Sequence, residues 1–410
     1  MLQAETKLRV GFNVGAEGVG INDLVRTIFD QRDELCGAVV DQLLWQVQEA
    51  WLVQVLGGHA DVTCTRCGVI HTGPGSLLRR GIRSRKVRSS VGRLEFRLRQ
   101  VSCRDCRRTW CPFTERLGLV PRQRVLDELL RRLVDWVTEL SYEKTTRIGG
   151  EWLGATVSPR RLHAEVQRRG EAVEFTEAEP LGTLVADGTK VPAGGRLRGA
   201  DLSLAFQLQG RRTLSGRTKV EKRVVGFGVG PGHWQETLAT AGEPDVLVTD
   251  GETGLRELAR WYFPQTRHQL CEWHVPYSMG HMLGLDGMAA AERKTLSRTL
   301  SSALSRGGAK GREAYRRRIE GLDAFPRAQG LLERAEPFVL YSPPSDERTT
   351  SVMEREMREV NRRTDVGARW SMTGIANLTR LRLAKRHNPD DCERVWSPLQ
   401  TSTPITVSTC

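Results

Sequence analysis

Val246-Leu-Val-Thr-Asp250-Gly-Glu-Thr-Gly-Leu-Arg-Glu-Leu-Ala-Arg-Trp-Tyr262 reads as a short buried strand that closes on an acid and turns into a helix. A continuous apolar run suits a strand covered on both faces, and Gly254–Tyr262 has a helical pattern. The pattern occurs earlier as Leu184-Val-Ala-Asp187-Gly-Thr-Lys190, again an acid at the end of a buried strand. Leu181–Val185, Leu202–Leu208 and Arg223–Val229 read as further strands, with helical stretches interleaved, so an α/β unit is expected. One Asp-Gly pair is ordinarily a turn. Two of them, each closing an apolar β-run, point to carboxylates at neighbouring strand ends. Asp245, before its strand, and Glu252, beyond the turn, are weaker alternatives. Paired carboxylates suit Mg²⁺, which takes oxygen ligands. Two such ions about 3.5–4 Å apart clamp the attacking and leaving oxygens of a phosphodiester substitution.

A third acid is expected from a helix. In Thr349–Arg363, Glu354, Arg358 and Asn361 share one face, whereas Glu356 points elsewhere. Glu354 is the expected ligand, with Glu356 second.

Outside this unit, Cys64-Thr-Arg-Cys67 and Cys103-Arg-Asp-Cys106 have the spacing of a tetrahedral Zn²⁺ site, with four thiolates leaving no open position for substrate. The site is therefore expected to be structural. Cys111 or His71 replacing one ligand is the alternative. Residues 61–120 hold 14 basic and 4 acidic residues, a local charge of +10 within a chain total of +13. Arg79, Arg80, Arg83, Arg85, Lys86 and Arg88 crowd the ribbon between the knuckles, with Arg93, Arg97, Arg99, Arg107 and Arg108 beyond them. Such density is expected to meet phosphates.

Ser141–His163 reads as helix, turn, helix: Gly154 can take a left-handed cap, Ser158 is an N-cap, and Pro159 is at the first helical position. The second helix would present Arg160, Arg161, His163, Gln167 and Arg168 to DNA.

The organisation expected is an amphipathic helical region over 1–60, with one or two helices from an N-cap at Asn22 to about Leu56, a zinc ribbon over 61–120 and a helix-turn-helix over 121–170. A linker at 171–180, an α/β core over 181–275, helices over 276–345, the core's last helices over 346–390 and a disordered tail from Ser397 in 391–410 complete it. No run of 18 apolar residues appears, and Met1–Val14 lacks a secretory pattern. Cytoplasm or a bacterial nucleoid is the expected location.

The order ADGTK, then VTDGETGLRELARWYFPQTRHQLCEWHV, then TTSVMEREMREVNRR and RWSMTGIANL resembles the DDE transposases of bacterial insertion sequences, closest to the Mutator-like groups. The resemblance covers about residues 61–386. It implies a ribonuclease-H-like mixed sheet flanked by helices, with an all-α insertion, preceded by zinc-ribbon and helix-turn-helix modules. It also implies that Asp187, Asp250 and Glu354 are the catalytic triad, and that Cys271-Glu-Trp-His274 is a C-x-x-H motif beside the site after the fifth strand. Arg358 is then a site neighbour, and Trp273 and Trp370 are surfaces able to stack on an unpaired base.

The expected activity is end binding followed by Mg²⁺- or Mn²⁺-dependent strand cleavage and transfer, with two ions per active site and one structural Zn²⁺. Double-stranded DNA, as terminal inverted repeats and target, is the expected partner, and joining two ends calls for a homo-oligomer. A domesticated, catalytically idle regulator and a structure-selective nuclease of the same fold are the alternatives.

Overall fold

Residues 20–177, 182–194, 199–214, 217–339, 347–366 and 369–396 are described by the computed structural model. The expected disordered tail from Ser397, the residues before 20 and positions 340–346 of the helical insertion lie outside them. The described chain is mixed α/β and divides into two units, one ending at Glu165 and the other beginning at Val166.

The first unit opens with α1 (Ile21–Leu56), a single 36-residue helix. Asn22 is not its N-cap: extended Gly20 holds that place, and its carbonyl accepts from Asp23 and Leu24. Strands β1 (Val62–Thr63) and β2 (Ile70–His71) flank the first Cys pair. The long hairpin β3 (Leu77–Ser89) and β4 (Gly92–Cys103), with β5 (Thr109–Trp110), forms an antiparallel sheet. Val87, Leu94, Phe96 and Leu98 bury one face of that hairpin together with Val40 and Leu44 of α1.

At β4's outer margin the Gln48 amide donates to the Arg97 carbonyl (2.8 Å) and accepts from the Arg99 N–H (2.9 Å). The Asp41 carboxylate accepts from the Arg97 N–H at 2.7 Å. Side chains of α1 thus satisfy backbone groups that a neighbouring strand would otherwise pair.

A short helix α2 (Phe113–Arg116) precedes three helices, α3 (Asp127–Val137), α4 (Tyr142–Leu153) and α5 (Pro159–Glu171), the last two being the expected helix, turn, helix. The caps fall where the sequence puts them. Gly154 is left-handed at φ 63°, and Ser158 Oγ accepts from the Arg161 N–H at 3.3 Å.

The second unit is built on β6 (Thr183–Val191), β7 (Ala200–Leu214), β8 (Arg217–Val229), β9 (Val246–Thr249) and β10 (Arg267–Leu270). Their order is β8-β7-β6-β9-β10, antiparallel across the first three and parallel from β6 through β10. Helices α6 (His233–Ala239) and α7 (Thr253–Tyr262) pack on the face carrying Leu184, Ala186 and Leu247. Gly226 and Gly228 let α6 approach β8 closely, since a Cβ at either would strike the backbone carbonyl of Thr237 or His233.

After β10 come α8 (His274–Leu285), α9 (Ala290–Arg306), α10 (Gly308–Glu320), α11 (Pro326–Ala335) and a 3-10 turn at Glu336–Phe338, with their own apolar core. Then α12 (Ser351–Thr364) and α13 (Met372–His387) cover the sheet face carrying Val185, Val191, Val246 and Val248. A helix not expected from the sequence, α14 (Pro389–Arg394), follows directly, with Pro389 in its first turn.

Candidate active site and metal centre

Strand register decides where the acids fall. Parallel β6 and β9 pair Thr183 with Val246, Leu184 with Leu247 and Val185 with Val248. Two residues further, the same register sets Asp187 beside Asp250. Alternation puts both on the face of Val185 and Val248, the face under α12. Asp250 follows the last residue of β9, as expected. Asp187 does not end its strand: β6 continues to Val191 because β7 pairs with it along its whole length. It marks instead a stretch where β6 has lost β9 as a paired neighbour.

Asp187 is buried, and its pKa is pushed up to about 6, first by burial and then by the charge of Asp250. The Gly188 N–H (2.8 Å) and the Thr350 hydroxyl work in the opposite direction. Asp250 Oδ1 also accepts from the Glu252 N–H at 3.1 Å, so the ordinary Asx turn is present alongside the pairing.

Thr350, just before α12, is a hub that the sequence reading missed. Its N–H points to Cys271 Sγ at 3.3 Å, and its hydroxyl lies 3.3 Å from His274 Nδ1. Cys271 is buried directly after β10, and its N–H bonds the Thr249 carbonyl at 2.7 Å, drawing the C-x-x-H segment against β9. Burial raises the Cys271 pKa, but the bonds from His274 and Thr350 outweigh it and hold the thiol below its usual range. Burial disfavours a charged His274; Cys271, Asp187 and Asp250 outweigh it and raise the imidazole's pKa. Arg348 fastens the same segment, pairing with Glu272 at 2.8 Å and donating to the Leu304 carbonyl at 3.1 Å. The only sequence signal for Thr350 was its place just before an acid-bearing helix.

On α12, about 100° per residue puts Thr350, Glu354 and Asn361 within about 40° of one another. Thr350 reaches Asp187, and Asn361 Nδ2 donates to Thr189 Oγ1 on β6 at 3.0 Å. Glu354, half-buried, lies on the stripe between them. Arg358 is exposed and turns back to the Glu354 carbonyl at 3.4 Å. Glu356, the second choice, is buried elsewhere, against Lys222 (3.4 Å), Arg386 (3.7 Å) and His387 (3.1 Å). Asp187, Asp250 and Glu354 are not among the described groups whose ligand atoms all lie within 4.8 Å of one another. Trp370 packs with the core and donates to the Thr364 carbonyl at 2.9 Å, whereas Trp273 is 54% exposed and stacks on Tyr277 at 5.5 Å.

The four ribbon cysteines do form such a group and could bind a metal such as zinc. Cys64 and Cys106 sulfurs lie 3.6 Å apart, and those of Cys67 and Cys103 lie 3.7 Å apart. A tetrahedron with Zn–S near 2.3 Å has edges of about 3.8 Å, so the spacing fits. Both knuckles share one backbone design. Gly68 and Arg107, each four residues after the first Cys, are left-handed (φ 70° and 58°) and donate back to the Cys64 and Cys103 carbonyls at 3.0 and 3.1 Å. Of the two alternative ligands, Cys111 is outside these groups, while buried His71 groups with Cys103 and Asp105.

Several expected DNA contacts are engaged inside the protein. Arg79 pairs with Glu49 at 3.2 Å and Lys86 with Glu95 at 3.0 Å. Arg85 donates to the Val120 and Gln123 carbonyls at 3.0 and 2.8 Å, and Arg88 to the Thr156 carbonyl at 2.7 Å. Arg97 and Arg99 pair with Asp41 and Glu49 and lie over the Trp45 ring at 4.9 and 4.5 Å. Gln167 is turned to Asn377, from which it accepts at 3.0 Å. Arg80, Arg83, Arg160, Arg161, His163 and Arg168 are exposed. One face of a ribbon packed under a helix needs internal charge partners, and composition does not reveal which arginines supply them.

No protein-family model matches the chain, and no curated protein matches it either.

Proposed function

We propose that the chain is a DNA transposase that binds transposon ends and performs metal-dependent strand cleavage and transfer. The observation that carries this is the β6–β9 register, which, continued two residues past its last pair, brings Asp187 and Asp250 together on the face covered by α12, the helix of Glu354. The strand order, three antiparallel and then two parallel, supports a ribonuclease-H-like core.

The donor set fits a hard cation: a carboxylate pushed up to about 6 by burial and then by its acidic neighbour gains from a positive ion beside it. Asp187, Asp250 and Glu354 would hold Mg²⁺ or Mn²⁺, two per site, and the bound ions would supply charge stabilisation at the attacking and leaving oxygens. The chain's own groups position these acids. Thr350 restrains Asp187, Asn361 fixes α12 against β6, and the Cys271–His274 pair locks the loop after β10 beside both aspartates. The ribbon would hold one structural Zn²⁺. The exposed arginines of the ribbon and of α5 are the proposed contacts to double-stranded DNA in a bacterial nucleoid, and joining two ends would engage more than one copy.

Asp250→Asn should abolish Mg²⁺-dependent cleavage and joining of end DNA while leaving end binding nearly unchanged. Retained cleavage overturns the assignment. Cleavage by the unaltered chain without a joined product on a target plasmid identifies a nuclease instead, and binding with neither product identifies an idle regulator.

A further inference from the structure

Within the first unit, a cavity of about 460 Å³ lies among β3, the loop before α3 and the start of α5. Arg88, Arg122, Arg124 and Arg161 line it together with the N-cap Ser158, and no acid contributes to the lining. We infer that this cavity is a phosphate seat, in which Arg122, Arg124 and Arg161 clamp one phosphodiester of a DNA backbone.

Arginines within the unit differ in whether they have an acidic partner. Arg32, Arg79, Arg97, Arg99, Arg132 and Arg147 each have a carboxylate within 4 Å. Arg122, Arg124 and Arg161 have none among the described residues. Three guanidinium groups around one cavity repel one another until an anion enters. The positive end of α5, a 13-residue helix, adds to the same field.

The cavity's walls are preorganised. The loop is not a loose tether, because Arg85 holds the Val120 and Gln123 carbonyls. Arg88 extends the pairing, accepting from the Leu126 N–H and donating to the Arg124 carbonyl, both at 2.9 Å. Its guanidinium also fixes the Thr156 carbonyl just before α5, so Arg88 positions the walls and is not counted in the clamp. A guanidinium fork matches phosphate oxygens two at a time. The volume lies in the range of small-molecule sites and admits the flanking sugars as well.

The choice of DNA as the source of the phosphate rests on the proposed function; the charge argument does not. Two measurements on the full chain keep these apart. The first is binding of a short duplex across a salt series, read by fluorescence anisotropy. The second is binding of inorganic pyrophosphate by calorimetry. Arg122→Gln/Arg124→Gln and, separately, Arg161→Gln should each weaken duplex binding about fivefold or more and lower the slope of log K against log salt by about 1. Both should also lose pyrophosphate binding. Unchanged zinc content and melting temperature identify a folded variant, and Arg161→Gln, on the exposed first turn of α5, leaves the loop intact. An unchanged slope in both folded variants overturns the seat while leaving DNA binding in place. Pyrophosphate binding that the variants lose, in a chain that binds no duplex, supports the seat and removes the DNA reading.

Discussion

Glu354 and Glu356 stand two residues apart on one helix and have opposite surroundings. Burial works against the Glu356 carboxylate, but His387, Lys222 and Arg386 outweigh it and hold its pKa at about 2. A pKa depressed in the folded chain gives stability that is present above the ordinary value of 4.5 and lost as pH falls toward 2. The shift corresponds to about 3 kcal/mol. Burial also lowers the His387 pKa, so its contribution fades in the same direction as acid is added. The second unit should therefore become easier to unfold with urea as pH falls below 6.5, through His387, and most steeply from 4.5 toward 2, through Glu356. Glu356→Gln should flatten that dependence and cost about 3 kcal/mol at neutral pH, because it leaves Lys222 buried without its partner. Helical spacing separated the two glutamates in the sequence. It did not reveal that Glu356 would be enclosed, since Lys222 and His387 come from β8 and α13 and their approach is a tertiary fact.

Among the elements, the knuckles show how local chemistry reads directly from sequence. Gly68 occupies a left-handed position without cost, whereas Arg107 adopts the same conformation with a Cβ. Arg107→Gly should therefore raise the ribbon's stability to thermal unfolding by up to about 1 kcal/mol, and Arg107→Val should lower it by more than that. Close approach works the other way at β8. Gly226→Ala should cost about 1–3 kcal/mol, measured by urea unfolding, because the new methyl meets the Thr237 carbonyl of α6. The boundary between α4 and α5 was legible because Gly154, Ser158 and Pro159 carry their own backbone preferences. Strand lengths were less so. β7 and β8 reach well past Leu202–Leu208 and Arg223–Val229, since polar residues there gain cross-strand bonds that an apolar pattern does not signal.

For the whole molecule, mixed α/β character and the cysteine cluster follow from the sequence with little loss, because both rest on patterns within a few residues of one another. Thr350's place between Asp187 and Cys271, and the internal duties of Arg85, Arg88, Arg97 and Arg99, depend on segments far apart in the chain. Because the zinc candidate lies in the first unit and the acids in the second, chelation offers a test at this scale. Metal analysis of unfolded protein should give about one zinc per chain. A strong chelator should abolish the first unit's melting transition and leave the second unit's largely in place; one unaffected transition for the whole chain would contradict both statements. The amide of Gln48 and the carboxylate of Asp41 carry a consequence of another kind. With those two groups in residence, β4's outer margin is no template on which a foreign strand can zip, so copies of the chain can meet there without knitting into a continuous sheet.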